Sequence, residues 1–152
     1  MNKIPHQLAS RWKRLGGSLL DGLISTIVII PVIFATGIFN QLKQGQRMNI
    51  AQTVLFFFLG LTIFLIIHGY LLSKYGQTVG KKIVGTRIVD KGTGKIIPLG
   101  KIFILRVLPI SIISQIPLIG GLFGLADSLF IFRDDKRCIH DLIAGTIVVE
   151  AK

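Results

Sequence analysis

Arg14-Leu-Gly-Gly-Ser-Leu-Leu-Asp21 opens the first long apolar run of the chain. It sets an arginine at the mouth of a hydrophobic helix and an aspartate two helical turns inside it. An ionised carboxylate in hydrocarbon costs about 2.5–3.5 kcal/mol on insertion scales. Asp21 therefore requires polar partners, and they must come from other apolar segments.

Outward from that stretch, residues 15–39 are long enough to cross about 30 Å of hydrocarbon at 1.5 Å per residue. Ser10 is placed to cap this helix and Trp12 to sit among headgroups. Ser18, Gly22 and Thr26 make a small-residue stripe suited to close helix packing, and Pro31 predicts a kink. Residues 50–72 form a second span without Lys, Arg, Asp or Glu, in which His68 titrates nearest neutrality. Residues 98–132 are apolar but broken by Lys101, Arg106, Pro109, Pro117 and Gly120-Gly121. They divide into short segments over 98–116 and 118–132. Between these runs lies Val84-Gly-Thr-Arg-Ile-Val-Asp90, whose β-branched residues predict a strand near 84–90. Ala144-Gly-Thr-Ile-Val-Val-Glu150 repeats the pattern near 144–150, and a lone strand leaves its backbone unpaired, so the two are expected to pair.

Of the 152 residues, 51% are hydrophobic, and the mean hydropathy is +0.68. A soluble domain of this size cannot hide that much apolar surface. The net charge of +11 does not point to nucleic acid. The basic residues sit in short segments between apolar runs, where they orient the chain and meet anionic lipid headgroups. Cys138 is the single cysteine, so no internal disulfide forms. The first apolar run is too long for the core of a cleavable leader.

Lysine and arginine counts decide the number of crossings. With four crossings, fourteen basic residues (in 1–14, 73–98 and 133–152) share one side against Lys43 and Arg47 on the other. The expected fold is an all-α integral membrane protein, one domain over 1–152. It has about four transmembrane or hairpin helices and a small cytoplasmic β element, with both termini cytoplasmic. The segment 118–132 reaches only about 22 Å as a helix, so a hairpin with 98–116 that stops short of the far surface is the alternative to two full crossings.

That topology brings Asp21, His68, Arg106 and Asp127 to a common depth of about 8–10 Å from the cytoplasmic side. Gly120, Gly124 and Ser128 repeat the small-residue stripe, which predicts that the first and last helices pack closely and bring Asp21 near Asp127. Asp21, Asp127 and His68 are the candidate ion- or proton-binding groups, with Arg14 and Arg106 as their charge partners.

Three separated motifs resemble the RDD family of bacterial membrane proteins: Arg14…Gly17…Asp21, Gly76 through Asp90, and Arg137…His140-Asp141 through Val149. The family is named for one arginine and two aspartates. The resemblance makes Arg14 and Asp21 the arginine and first aspartate, and Asp141 or Asp127 the second. It implies an inner-membrane protein and leans toward exchange of sodium for protons.

Gly76-Gln-Thr-Val-Gly80-Lys81-Lys82 is a poor phosphate-binding loop, because Lys82 stands where a magnesium-binding hydroxyl belongs. Lys81, Lys82 and Arg87 are expected to meet lipid phosphate instead. His140 and Asp141 are expected in a structural role, Asp141 accepting from loop backbone or from a basic residue of 76–87. No metal and no cofactor are expected, since His6 and His68 lack ligand spacing with His140. No nucleophile–base pair stands out, so no enzymatic activity is expected. The functional expectation is exchange of a monovalent cation, sodium or potassium, for protons by a homodimer. The alternative is a non-transporting scaffold or accessory subunit in which buried charges only lock helix packing.

Overall fold

The computed structural model describes residues 7–151; residues 1–6, His6 among them, and residue 152 lie outside the described part. The chain is mostly helical with one two-stranded sheet. Helix α1 (Arg11–Ala35) starts where the Ser10 hydroxyl accepts from the Lys13 amide at 3.2 Å. It runs unbroken through Pro31 and stops at Thr36. The expected 15–39 span is thus displaced toward the N-terminus, because Ser10 supplies the cap and Gly37, at φ +74°, supplies the break. The short helix α2 (Ile38–Lys43) leads to α3 (Ile50–Tyr75), whose start is a reciprocal cap between Asn49 and Gln52.

Helices α1 and α3 are each long and apolar enough to cross a membrane. Leu19, Leu23, Ile27 and Phe34 on α1, and Leu55, Phe58 and Ile66 on α3, stand exposed. Side chains of this kind on long apolar helices face lipid.

Helix α3 ends at Gly76 in the left-handed conformation (φ +65°), and the Gly76 carbonyl accepts from the Ile88 amide at 2.7 Å. The chain then folds back as α4 (Val79–Ile83), capped by Thr78, and β1 (Thr86–Asp90). Strand β2 (Thr146–Glu150) lies antiparallel to β1, with Thr86 opposite Glu150 and Asp90 opposite Thr146. The expected strand pairing is therefore present, trimmed by two residues at each start where Gly85 and Gly145 make the turn. Residues 7–9 run along the other edge of β2: Ala9 N donates to Val148 O and Glu150 N to Gln7 O, each at 3.0 Å. Both ends of the described chain thus meet in one sheet. Ala9, Leu72, Ile88, Ile97, Ile102 and Val148 form the buried apolar core beneath it.

The interrupted run becomes a pair of short arms. The outgoing arm is α5 (Leu99–Ile102), a π-helical turn (Phe103–Val107) and α6 (Leu108–Ile113). Pro109 cannot donate to the carbonyl four residues before it, and the widened turn lies over that gap. The returning arm is α7 (Ile119–Leu129), ending in a 3₁₀ turn (Phe130–Phe132). Leu118, at φ +66°, makes the hairpin turn, and Gly120 lies so close to the Ser114 backbone that a Cβ would meet it at 2.6 Å. After α7 the chain makes helix α8 (Ile139–Ala144) and enters β2. At 1.5 Å per residue, each arm reaches about 20 Å. Two helices long and apolar enough to span, and this hairpin, stand where about four transmembrane or hairpin helices are expected.

The small-residue stripes act differently from expectation. The main packing partner of α1 is α4, not α7. Gly17 and Gly80 are the contact, and a Cβ on Gly80 would collide with the Gly17 carbonyl oxygen. A Cβ on Gly22 or Gly124 would meet nothing within 4 Å. Close packing of α1 on the last helix is thus corrected: the short α4 takes that position, because its own glycine allows backbone contact.

Candidate functional site

Asp141, at the first turn of α8, is 0% exposed and gathers more polar partners than any other carboxylate described. Arg14 of α1 donates to its Oδ2 and Arg106 of the π turn to its Oδ1. The Thr146 hydroxyl donates to Oδ1 at 2.9 Å and the Cys138 amide to Oδ2 at 3.2 Å. Arg106 also reaches the Thr146 hydroxyl at 2.8 Å. Arg137 encloses the group from behind, donating to the Asp141 carbonyl at 2.9 Å and the Thr146 carbonyl at 3.1 Å. One carboxylate thereby ties together α1, the hairpin, α8 and β2. Burial alone would raise its pKa, but Arg106 and Arg14 hold it well below the usual carboxylate range.

This corrects the expected charge pairs. Arg14 and Arg106 serve Asp141, not Asp21 or Asp127, because α8 folds back beneath the first turns of α1. The expected backbone donor to Asp141 is present as Cys138, whereas the basic partners come from helices outside 76–87.

Asp21 sits on α1 where α4 crosses it. Its Oδ1 accepts from the Gly80 amide at 2.7 Å and its Oδ2 from the Thr78 hydroxyl at 2.5 Å. Lys81 Nζ lies 3.6 Å from Oδ2, and His68 Nδ1 lies 3.9 Å from Oδ1. His68 is buried and its Nδ1 faces the Val79 amide at 3.3 Å, which donates to it. That bond places the ring proton on Nε2. The glycine-rich turn therefore binds an anion, but the anion is the protein's own Asp21.

Lys81, expected with Lys82 and Arg87 in an exposed basic elbow, is buried instead: α4 turns it inward toward Asp21 and the cavity. Burial and the neighbouring Arg106 hold its ammonium below the ordinary lysine range. Lys82 stays exposed, with Nζ 5.7 Å from the Tyr75 ring centre. Arg87 is half-buried on β1 opposite Val149.

Asp127 of α7 accepts from the His140 amide at 3.0 Å and from His140 Nδ1 at 2.6 Å. Burial, then Arg106, lowers the His140 pKa against the pull of Asp127. Its Nε2 lies 3.8 Å from Asp141 Oδ1. Asp127, Cys138 and His140 also place one donor atom each within 4.8 Å of one another. The Arg14 guanidinium touches the thiol at 3.5 Å, and burial pushes that thiol up to about 11. Asp127 and His140 are thus hydrogen-bonded to each other, and the third member is a thiol kept protonated beside the Arg14 guanidinium.

Asp21, Lys81, Arg106, Asp127 and His140 all line one cavity of about 520 Å³. His68 stands behind Asp21 at its edge. Of the four groups expected at one depth, Asp21, Arg106 and Asp127 line this cavity, with Asp21 and Asp127 on different walls. Its apolar walls are Phe56, Phe57, Leu61 and Phe64 of α3 with Val107 and Ile110 of the hairpin. Sequence reasoning missed Thr78, the inward Lys81, Arg137 and Thr146. The repeated Gly-Thr at 85–86 and 145–146 was the available signal for Thr146. The capping pattern of Thr78 before Val79 was the signal for Thr78.

An uncharacterized protein of Bacillus subtilis, YckC, is 37% identical over 145 residues, spanning 94% of this chain and 85% of the relative. An uncharacterized protein of Haemophilus influenzae is 29% identical over 150 residues, spanning 96% of this chain and 81% of its own length. No solved structure gives a significant match. The profile of the RDD family matches residues 8–145, from the edge of the sheet to the last turn of α8. The chain belongs to the RDD family.

Proposed function

We propose that this chain is a multi-pass protein of the bacterial inner (plasma) membrane that exchanges a monovalent cation, sodium or potassium, for protons. The termini are cytoplasmic, the hairpin completes an even number of passages, and the sheet lies on the cytoplasmic surface. Lys82 and Arg87 meet anionic headgroups there. A unit of this size is small for a transport path, and the working form is a homodimer.

The observation that carries this reading is the cavity with Asp21 and Asp127 on its walls, each beside a histidine. Acids inside membrane domains are costly and mark ion and proton paths. A cation arriving at Asp21 competes with Lys81 for the carboxylate, and His68 and His140 stand within reach to move protons. Asp141, Arg14 and Arg106 hold the walls in place.

The test is flux in proteoliposomes carrying a pH-sensitive dye. An imposed sodium or potassium gradient moves protons with the native chain, and Asp21→Asn abolishes the movement. Equal flux in both, or none in either, removes the transport reading. The scaffold reading is favoured by one observation: both oxygens of Asp21 and of Asp127 already accept hydrogen bonds. It expects Asp21→Asn to lower the melting temperature with no ion phenotype.

A further inference from the structure

We propose that the cavity holds a membrane glycerophospholipid, its phosphodiester against Lys81 and its hydrocarbon along Phe56, Phe57, Phe64 and Ile110. The inference uses the same cavity as the transport reading but does not rest on transport.

Size is the first argument. Six waters around a small cation occupy roughly 180 Å³. The cavity is about 520 Å³, within the range of roughly 300–1,000 Å³ typical of sites for organic molecules.

Charge is the second. The carboxylates around the cavity have their oxygens filled: Asp21 by Thr78 and Gly80, Asp127 by His140, Asp141 by its two arginines and Thr146. The Lys81 ammonium does not. Lys81 is only 8% exposed and lines the cavity. Among the described residues, its one anionic neighbour within 4.0 Å is Asp21, at 3.6 Å, beyond hydrogen-bonding distance. A buried ammonium with open donors needs an anionic acceptor. A phosphodiester meets that need with several oxygens.

The walls and mouth supply the third argument. Away from Lys81 the larger part of the lining surface is apolar, with Ser25, Ser111, Ser114 and Gln115 set among the aromatic and aliphatic side chains, which suits hydrocarbon better than a hydrated anion. Exposed Gly60 and Ser114 also line it, at the middle of α3 and the end of α6. Gly60 lies on the lipid-facing length of α3, so the opening lies beside the bilayer interior and an acyl chain enters from the side.

Native mass spectrometry of the full chain, delipidated in detergent and titrated with a short-chain phosphatidylglycerol, tests the proposal. One lipid per chain is expected. Lys81→Gln weakens its binding by about tenfold or more, the loss of one charge-assisted contact, while the exposed Lys82→Gln leaves it unchanged. Gly60→Trp, at a position where an added Cβ meets nothing within 4 Å, fills the mouth and weakens binding without changing Lys81. Equal binding by the Lys81 and Lys82 variants, or full binding by Gly60→Trp, overturns the proposal and assigns the lipid to the outer surface. Displacement by inorganic phosphate at concentrations matching the lipid also overturns it, marking a free-anion site.

Discussion

Asp141→Asn removes one negative charge from between two buried guanidiniums while keeping the side chain's size. Arg14 and Arg106 are 5% and 8% exposed, and Asp141 is 0% exposed. Deleting one partner of a buried ion pair costs about 3–5 kcal/mol, because the remaining charge is left uncompensated. Two arginines lose their partner here, and an amide NH₂ cannot accept from the donors now facing it. The upper figure, about 5 kcal/mol, is therefore expected. Against a total stability of about 5–15 kcal/mol, that is a large fraction. At roughly 2–4 °C per kcal/mol for a chain of this length, the melting temperature falls by roughly 10–20 °C. The assay is thermal unfolding of detergent-solubilised protein followed by circular dichroism. The triple replacement Arg14→Met, Arg106→Met, Asp141→Leu is the informative companion. Removing all the charges leaves none unpaired and recovers most of the loss. An Asn variant melting within about 3 °C of the native chain, or a triple variant as unstable as the single one, would refute the clamp.

Acid tests the same residue. The folded pKa of Asp141 is depressed. Its stabilisation is complete above the unfolded value of about 3.9 and is lost as pH falls below it. His140 acts in the same direction at higher pH, since its folded value is also lowered. The unfolded chain takes the proton first, so stability declines as pH falls through about 6.5 toward the folded value. His140→Gln should flatten that part of the melting-temperature profile, and a profile of unchanged slope would count against it. Gly80→Ala forces a Cβ against the Gly17 carbonyl and the Asp21 carboxylate. It is expected to destabilise by about 1–3 kcal/mol, whereas Gly22→Ala, in open space, leaves the melting point unchanged or higher.

The elements that were legible in the sequence are those with local causes. The Ser10 cap, the two long apolar helices and the paired strands follow from short-range pattern. Counting residues from the basic ends of each run places Asp21, Arg106 and Asp127 at a similar distance, and these three do line one cavity. The pairing within it did not follow. Depth along a helix fixes height but not which wall a side chain takes, and Arg14 chose Asp141 because α8 returns beneath α1. The small-residue stripe misled for a related reason. Spacing shows that a helix can be approached closely but not by which segment, and the five-residue α4 fitted Gly17 better than any long helix did. The glycine-rich basic motif of residues 76–82 gives Lys81 no direction of its own. Its inward direction depends on the cap at Thr78 and the contact at Gly80, which are tertiary facts.

The central claim is that the chain leaves one membrane surface and returns to it, so that Arg14 and Asp141 can meet. Reporters whose activity depends on compartment, fused before Met1 and after Lys152, test it most directly. Both are expected to report the cytoplasm. A periplasmic signal from either fusion, with the other cytoplasmic, would place the two partners of the buried clamp on opposite sides and contradict the account.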